Sequence, residues 1–271
     1  MKTDLHAHTT FSDGDRTPLE VVRLAEAAGV GVAITDHDEC RGFAEIAGRS
    51  FGVPVYAGIE LAARFGKESV HVLGLGIDWR NPTLLAHVDR AADARLHRAE
   101  RIVEKLRGCG VDIALSEVRY QGSVVGRAHI AEALVRKGAA ADIRDAFARY
   151  LGGGAPGYVS YEKITAEQAA RLITDAGGVA VVAHPGLMPP GVFSSLLPVL
   201  KRWGFWGVEA YYPSHTDGQC REFESLARTH GLYVTAGSDF HGGVKPEIAV
   251  GQEKRGGAYL RESMEAFSAG R

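Results

Sequence analysis

The amino-acid sequence predicts an α/β protein built on a parallel sheet, open or closed into a barrel. Short runs rich in Val, Ile, Leu, Ala and Gly predict seven strands, at residues 2–8, 31–37, 53–61, 69–77, 178–184, 206–212 and 232–239. Several of these runs lack polar alternation, which is typical of parallel strands buried on both faces. Helical patterns lie between many of them, and this repeated strand–helix–strand order indicates a parallel sheet.

Capping signals mark where the helices between the strands begin. Thr17 and Glu20 stand three residues apart before an apolar stripe, with a proline directly after Thr17. That spacing is a capping box, which predicts a helix start. Thr165 and Gln168 repeat the device, and a third helix is expected around residues 217–230.

The middle of the chain departs from this rhythm. No run between residues 80 and 157 predicts a strand. Apolar residues follow helical spacing up to Gly108, and two shorter helices are expected at about 127–137 and 141–151.

A glycine-rich stretch closes this helical region. Residues 152–157 read Gly-Gly-Gly-Ala-Pro-Gly, which is typical of a hinge or linker. We therefore expect a main domain with a small helical domain inserted into it. The expected main domain comprises residues 1–79 and 158–271, and the insertion comprises residues 80–157.

Composition limits the class of protein. The 271 residues are 45% hydrophobic and 24% charged, with a formal net charge of −2, as in ordinary globular proteins. The sequence has no 18-residue apolar run and no signal-peptide core, so no membrane association is expected. Three widely separated cysteines fit a reducing cytoplasm. The net charge gives no reason to expect stable binding to duplex nucleic acid.

The motif Asp4-Leu5-His6-Ala7-His8 is the first candidate for chemistry. Side chains alternate along a strand, so Asp4, His6 and His8 should share one face. Two imidazoles placed in this way can reach one metal ion. The motif alone is also compatible with one hydrogen-bonded core histidine and one surface histidine.

Other acids and histidines lie near the ends of predicted strands. They are Asp13, His37, Glu60, His71, His184, Asp239 and His241. The carboxyl ends of parallel strands meet at one edge of a sheet, where active sites lie. Burying so many imidazoles and carboxylates together would be costly without cations. The sequence therefore predicts a metal site.

The ligand types narrow the choice of metal. Imidazoles and carboxylates without thiolates suit Mn²⁺, Zn²⁺ or Fe²⁺. Nine candidates are too many for one ion, so two or three divalent ions are expected. We expect Mn²⁺, with Zn²⁺, Fe²⁺ or Mg²⁺ as alternatives.

Five motifs together resemble the PHP (polymerase and histidinol phosphatase) family of metal-dependent phosphoesterases. They are Asp4-Leu5-His6-Ala7-His8, Thr35-Asp36-His37, Gly58-Ile59-Glu60, Ala183-His184-Pro185 and Ser238-Asp239-Phe240-His241. The resemblance runs from residue 4 to residue 241. It implies a distorted (β/α)7 barrel with a trinuclear metal centre and, in one branch, a helical cap.

The resemblance also implies which residues would be ligands and therefore catalytic. One ion would be held by His6, His8, Glu60 and Asp239. A second would be held by Asp13, His37 and His241, and a third by Glu60, His71 and His184, with Glu60 bridging. Many relatives have histidine where this chain has Asp13. With aspartate at this position, the chain resembles the nucleotide-directed branch of the family. That branch contains 3′,5′-nucleoside bisphosphate phosphatases and enzymes that trim the 5′ ends of short RNA.

Four further residues are expected to contact substrate. The segment that contains Arg127 and His129 also resembles this branch, which usually has proline where this chain has Ala128. A guanidinium fork suits phosphate, and the imidazole could contact phosphate or protonate a leaving group. Both could instead be ordinary exposed residues of a helix terminus. Ser214 and His215 follow a predicted strand end and could also reach substrate.

Two acids beside a proposed ligand have an expected supporting role. Asp36 and Asp38 flank His37. We expect them to orient imidazoles, with a general acid or base role as the alternative.

The function implied is hydrolysis of a phosphomonoester by metal-activated hydroxide. The expected substrate is a small phosphorylated molecule, a nucleotide or short oligonucleotide, and the expected bond is the 3′-phosphate of a 3′,5′-bisphosphonucleotide. Three alternatives remain: a 5′→3′ exoribonuclease acting on short oligonucleotides, a histidinol-phosphate phosphatase, and a PHP module without catalytic activity.

Overall fold

Eight strands form one sheet in the computed structural model, which describes residues 2–252. Met1 and residues 253–271, assigned above to the main domain, lie outside the described residues. The strands are β1 (Thr3–Ala7), β2 (Gly31–Ile34), β3 (Val55–Phe65), β4 (Glu68–Leu75), β5 (Ile164–Thr165), β6 (Val179–Val182), β7 (Phe205–Tyr211) and β8 (Tyr233–Ala236). All seven predicted strands are present, and β5 is a two-residue addition that pairs with β3.

The sheet curls until its first and last strands meet. Its order is β1-β2-β3-β4-β6-β7-β8. At the carboxyl end of β1, the His8 N–H donates to Phe240 O at 2.9 Å and the Asp239 N–H donates to His6 O at 2.8 Å. The α/β barrel expected from the sequence is therefore confirmed.

One strand runs against the predicted parallel direction. β4 pairs antiparallel with both β3 and β6. The reason is the connection between β3 and β4, which is only Gly66-Lys67, with Gly66 at φ 60°. Two residues can close a hairpin, whereas a parallel crossover needs about a dozen. Because β3 continues to Phe65, Glu60 lies in the middle of that strand and not at its end.

The described residues contain seven α-helices. They are α1 (Pro18–Ala28), α2 (Pro82–Gly108), α3 (Arg127–Arg136), α4 (Ile143–Ala146), α5 (Ala166–Asp175), α6 (Val192–Leu200) and α7 (Asp217–Thr229). A π-helical turn, Phe147–Leu151, extends α4. The capping boxes at Thr17 and Thr165 form as predicted, whereas α6 was not predicted. None of these helices is both long and apolar enough to cross a bilayer.

Most of the helical middle has a hydrophobic cluster separate from that of the sheet. The larger cluster packs the sheet against α5, α6 and α7 and includes Leu84 and Val88 from the first turns of α2. The second lies within residues 99–159 and draws on α2, α3 and α4, for example through Ile102, Leu106 and Leu134. A core of its own is what an inserted helical unit requires. The boundaries at residues 80 and 157 stay a prediction.

Candidate metal centre

The nine predicted ligands gather at one mouth of the barrel. β1 supplies His6, and His8 follows directly, so alternation turns both imidazoles to the same side. Three groups of these side chains place their ligand atoms within 4.8 Å of one another. The groups are His6, His8, Glu60 and Asp239; His8, Asp13, His37 and His241; and His37, Glu60 and His71.

The first group is fully buried and has the same members as the first implied ligand set. The Nε2 atoms of His6 and His8 lie 3.1 Å apart. His8 Nε2 also lies 3.2 Å from Glu60 Oε2 and 3.1 Å from Asp239 Oδ1. Four potential ligand atoms, one from each residue, thus lie close enough to share one metal ion.

The second group centres on Asp13. Its Oδ1 lies 3.3 Å from His241 Nε2 and 3.9 Å from His37 Nε2. His8 Nδ1 also lies 3.9 Å from this oxygen. The second implied set, Asp13, His37 and His241, is therefore brought together, with His8 beside it.

Glu60 links the third group to the other two. Its Oε1 lies 2.7 Å from His71 Nδ1 and 3.0 Å from His184 Nε2. Its Oε2 lies 2.9 Å from His37 Nδ1. The third group therefore contains His37 where the resemblance implied His184, although His184 also touches Glu60. One buried carboxylate among this many imidazoles is the arrangement a bridging ligand requires.

Outer hydrogen bonds fix which ring nitrogen of each imidazole carries a proton. His6 Nδ1 lies 3.0 Å from Glu209 Oε1, and His241 Nδ1 lies 2.8 Å from the Asp239 carbonyl oxygen. Both oxygens only accept, so Nδ1 must hold the proton in each ring. The Nε2 lone pairs of both rings then point into the cluster. This is the usual support for metal-ligating histidines.

A similar contact supports His8. The Ser12 hydroxyl donates to Asp36 Oδ1 at 2.6 Å and accepts from His8 Nδ1 at 3.3 Å. Asp36 thus acts on an imidazole through Ser12. Asp38 instead pairs with Arg95, whose guanidinium lies 2.6 Å from Asp38 Oδ2.

Three buried atoms of the cluster lack a hydrogen-bond partner. They are Asp13 Oδ1, His37 Nδ1 and Glu60 Oε2. Buried polar atoms without partners are rare and costly. All three belong to proposed ligands and lie close to other potential metal-binding atoms without forming a hydrogen bond to them. The residues therefore fit divalent cations, which would satisfy these atoms together.

The titration behaviour of the cluster reflects its crowding. Burial opposes ionisation of Glu60, but the imidazoles of His37, His71 and His6 hold its pKa well below its usual range. Burial likewise opposes charging of His8, yet Asp239 and Glu60 raise its pKa to about 9. Burial lowers the pKa of His71 to about 4. Protons and metal ions would therefore compete for the same atoms.

Close packing and backbone strain also concentrate at this mouth. A Cβ on Gly237 would lie 2.3 Å from His6 Cβ and 2.6 Å from Glu209 Oε1, so only glycine fits beside this pair. His184 and Asp239 adopt φ values of 26° and 54°. Such strain in non-glycine residues is common at functional sites.

A cavity of about 180 Å³ opens beside the proposed metal ligands. Asp13, His37 and His71 form part of its wall. Four cationic residues, which we call the basic wall, form another part: Arg95, Arg98, Arg127 and Lys163. Tyr161 lies among them, with the Arg98 guanidinium 5.0 Å from its ring centroid. The cavity therefore joins the cluster of imidazoles and carboxylates to a surface of cationic side chains.

The structure separates the four expected substrate residues. Arg127 lines the cavity and donates to Leu151 O at 3.1 Å. His129 is buried, and its Nδ1 accepts from the Gly126 N–H at the start of α3.

Ser214 and His215 are not part of this cavity wall. Ser214 is exposed, and His215 is buried. His215 Nδ1 donates to Ala210 O, and its Nε2 accepts from the Gly186 N–H. His215 thus supports the turn that follows His184.

Several residues of the site were missed from the sequence. Arg95 and Arg98 stand three apart on α2, where charged residues usually only face solvent. Lys163 and Glu209 lie in no recognisable motif. Only the fold shows that all four approach the barrel mouth.

The comparisons with known proteins establish the family. A model described as "PHP domain" matches residues 4–152, more than half of the 271 residues. The chain is 38% identical over 246 residues to a 3′,5′-nucleoside bisphosphate phosphatase of Chromobacterium violaceum, covering 88% of this chain and 86% of that protein. It is 34% identical over 252 residues to the 5′-3′ exoribonuclease Rnm of Escherichia coli, covering 88% and 84%. The chain belongs to the PHP family.

Solved structures agree with this assignment. A structure of an amidohydrolase from Chromobacterium violaceum, with bound sulfate and no metal, matches with a TM-score of 0.90 at 34% identity, over 98% of this chain and 96% of that one. A proposed metal-dependent phosphoesterase from Bifidobacterium adolescentis matches with a TM-score of 0.86 at 31% identity, over 96% and 94%. The protein is a metal-dependent phosphoesterase, a hydrolase that acts on phosphoester bonds.

Proposed function

We propose that this phosphoesterase removes the 3′-phosphate of a 3′,5′-bisphosphonucleotide and releases a 5′-nucleotide. The observation that carries the proposal is the basic wall. Its four cations share one cavity with three proposed metal ligands. A substrate that carries two phosphates on opposite sides of a ribose would meet both surfaces at once.

The nine clustered side chains would hold two or three divalent ions, with Mn²⁺ as the expected metal. Such ions lower the pKa of a coordinated water and stabilise charge on a phosphate undergoing hydrolysis. Glu60 would bridge, since it touches imidazoles from all three groups. Glu209 keeps His6 Nδ1 protonated, so the other nitrogen stays available.

The basic wall would bind the phosphate that is not cleaved. Arg127 has a planar fork that suits phosphate oxygens. Burial and the neighbouring arginines lower the pKa of Lys163 to about 8, and burial lowers that of Arg98 to about 10. Crowded cations repel one another, and a bound anion would relieve that repulsion. Binding would therefore favour a multiply charged phosphate.

The names of the relatives support this choice and its main rival. One relative is named for 3′,5′-nucleoside bisphosphates and another is named a 5′-3′ exoribonuclease. The location of the protein in the cytoplasm stays a prediction. It is compatible with the three free cysteines, Cys40, Cys109 and Cys220.

A substrate panel tests the proposal. With Mn²⁺ present, adenosine 3′,5′-bisphosphate should release phosphate with a kcat/KM about 10- to 100-fold above that of adenosine 3′-monophosphate, because charge-assisted hydrogen bonds contribute about 1.5–3 kcal/mol. Chromatography should identify adenosine 5′-monophosphate as the product. A Glu60→Gln preparation controls for contaminating phosphatases.

Three results would count against the proposal. Equal kcat/KM values for the two adenosine compounds would remove the second phosphate from recognition. Faster release of mononucleotides from a 5′-phosphorylated short RNA would favour the exoribonuclease. Higher activity on histidinol phosphate would favour the amino-acid substrate.

A further inference from the structure

The carboxylate of Asp239 is held on one side by two donors. The Lys245 ammonium lies 2.6 Å from Asp239 Oδ2, and the Tyr212 hydroxyl donates to the same oxygen at 2.8 Å. Lys245 reaches this carboxylate from the loop after the turn Gly242–Val244. Its side chain is 35% exposed, whereas Asp239 is almost fully buried. A cation thus stands directly beside a proposed metal ligand.

The other oxygen of Asp239 faces the metal cluster. Oδ1 lies 3.1 Å from His8 Nε2 and 3.4 Å from His6 Nε2. It also lies 3.4 Å from His241 Nδ1. The two oxygens of one carboxylate therefore have different surroundings, one occupied by Lys245 and Tyr212 and the other turned toward the imidazoles.

We propose that Lys245 is a positioning residue that restricts Asp239 to binding metal through Oδ1 alone. A carboxylate can bind an ion with one or both oxygens. With Oδ2 occupied by two donors, the ion gains one bond from Asp239 and keeps a coordination position open. Catalytic metal sites need such a position for water or substrate.

The charge of Lys245 acts in the same direction. A fixed cation near a divalent ion lowers the affinity of the site for that ion. Removing the ammonium would therefore strengthen metal binding in two ways, by ending repulsion and by leaving Oδ2 with the neutral Tyr212 hydroxyl as the remaining one of these two donors. The same change should slow turnover, because a second bond from Asp239 would close the open position.

Metal binding by full-length Lys245→Met tests the inference. Titration with Mn²⁺, followed by electron paramagnetic resonance of the free ion, should show one ion bound about tenfold more tightly than in the wild type, while kcat falls about 10- to 100-fold. Lys245→Arg should restore both values toward wild type, because it keeps the charge and the hydrogen bond. Lys201→Met, which removes an exposed lysine that donates to Gly231 O, is the matched control and should change neither value.

The possible outcomes separate this inference from the proposed metal centre on which it rests. If the wild type binds no Mn²⁺, the centre itself is wrong. If the wild type binds Mn²⁺ but Lys245→Met binds it with unchanged or weaker affinity at unchanged Tm, the positioning role is wrong. An increase in KM alone, with Mn²⁺ affinity unchanged, would also overturn the inference and would make Lys245 a substrate contact. If Lys245→Met does not fold, Lys245→Ala, which also removes both the charge and the donor, replaces it with the same expectations.

Discussion

The cluster of proposed metal ligands and the basic wall face one cavity but are built in different ways. The cluster is assembled from strand ends, from adjoining loops and from the interior of β3 and β4, and outer hydrogen bonds such as that from His6 to Glu209 hold its side chains in place. The wall comes from helices of the middle region and from the segment before α5, with Arg95 on α2 and Arg127 at the start of α3. We therefore expect the barrel to provide the chemistry and the basic wall, which lies outside the barrel, to provide the selectivity.

Removing the shared carboxylate should produce the largest effect. Glu60→Gln takes away the oxygen that touches imidazoles from all three groups, so kcat/KM should fall at least about 1,000-fold, which corresponds to the several kcal/mol a divalent ion contributes. Steady-state phosphate release measures the change, and inductively coupled plasma mass spectrometry measures the bound metal. Full activity in this variant would show that the cluster is not the reaction centre.

Changing the wall should affect substrate binding and leave the metals in place. Arg127→Ala should raise KM for the bisphosphate about 10- to 100-fold, the value of a charged hydrogen bond, with little change in kcat. Arg144→Ala, an exposed arginine on α4, is the matched control and should behave as wild type. A loss of bound metal in Arg127→Ala would mean that the two regions are not separable.

The smallest effect should appear in the pH dependence of the wall. The pKa of Lys163 is lowered to about 8 by burial and the neighbouring arginines. Only the protonated amine attracts phosphate, so binding should be strongest below this pH and weaken as pH rises through it. We expect kcat/KM for the bisphosphate to fall about three- to tenfold between pH 7 and pH 9 through a rise in KM.

A variant identifies the group responsible for that pH dependence. Lys163→Arg keeps its charge throughout this range, so its KM should stay nearly constant between pH 7 and pH 9. An unchanged rise in KM in this variant would assign the titration to another group.

Much of the fold and of the cluster was predictable because strand ends impose convergence. Once seven buried runs were recognised, residues such as His8, His37 and Asp239 had to meet at one barrel mouth. The parallel direction predicted for β4 was wrong, because the two-residue turn at Gly66 sets the direction of this strand and the apolar run does not. A hairpin of this length cannot connect parallel strands.

The basic wall could not be derived in the same way. Arg98 and Lys163 are more than sixty positions apart, and nothing in their neighbours distinguishes them from solvated charges. Likewise, Glu209 supports His6 from β7 without a motif around it. Conversely, His215 follows a strand end but supports the backbone, because both of its ring nitrogens form hydrogen bonds with backbone atoms.

Counting bound metal ions tests most directly whether the dispersed imidazoles and acids form one cation-binding centre. Purified protein loaded with Mn²⁺ and freed of excess ion should retain two or three ions per chain by mass spectrometry. His37→Ala, with its Tm unchanged, should retain at least one fewer, because His37 belongs to two of the three groups. Wild-type protein that retains no ion, or a His37→Ala variant that retains the full number, would contradict this arrangement.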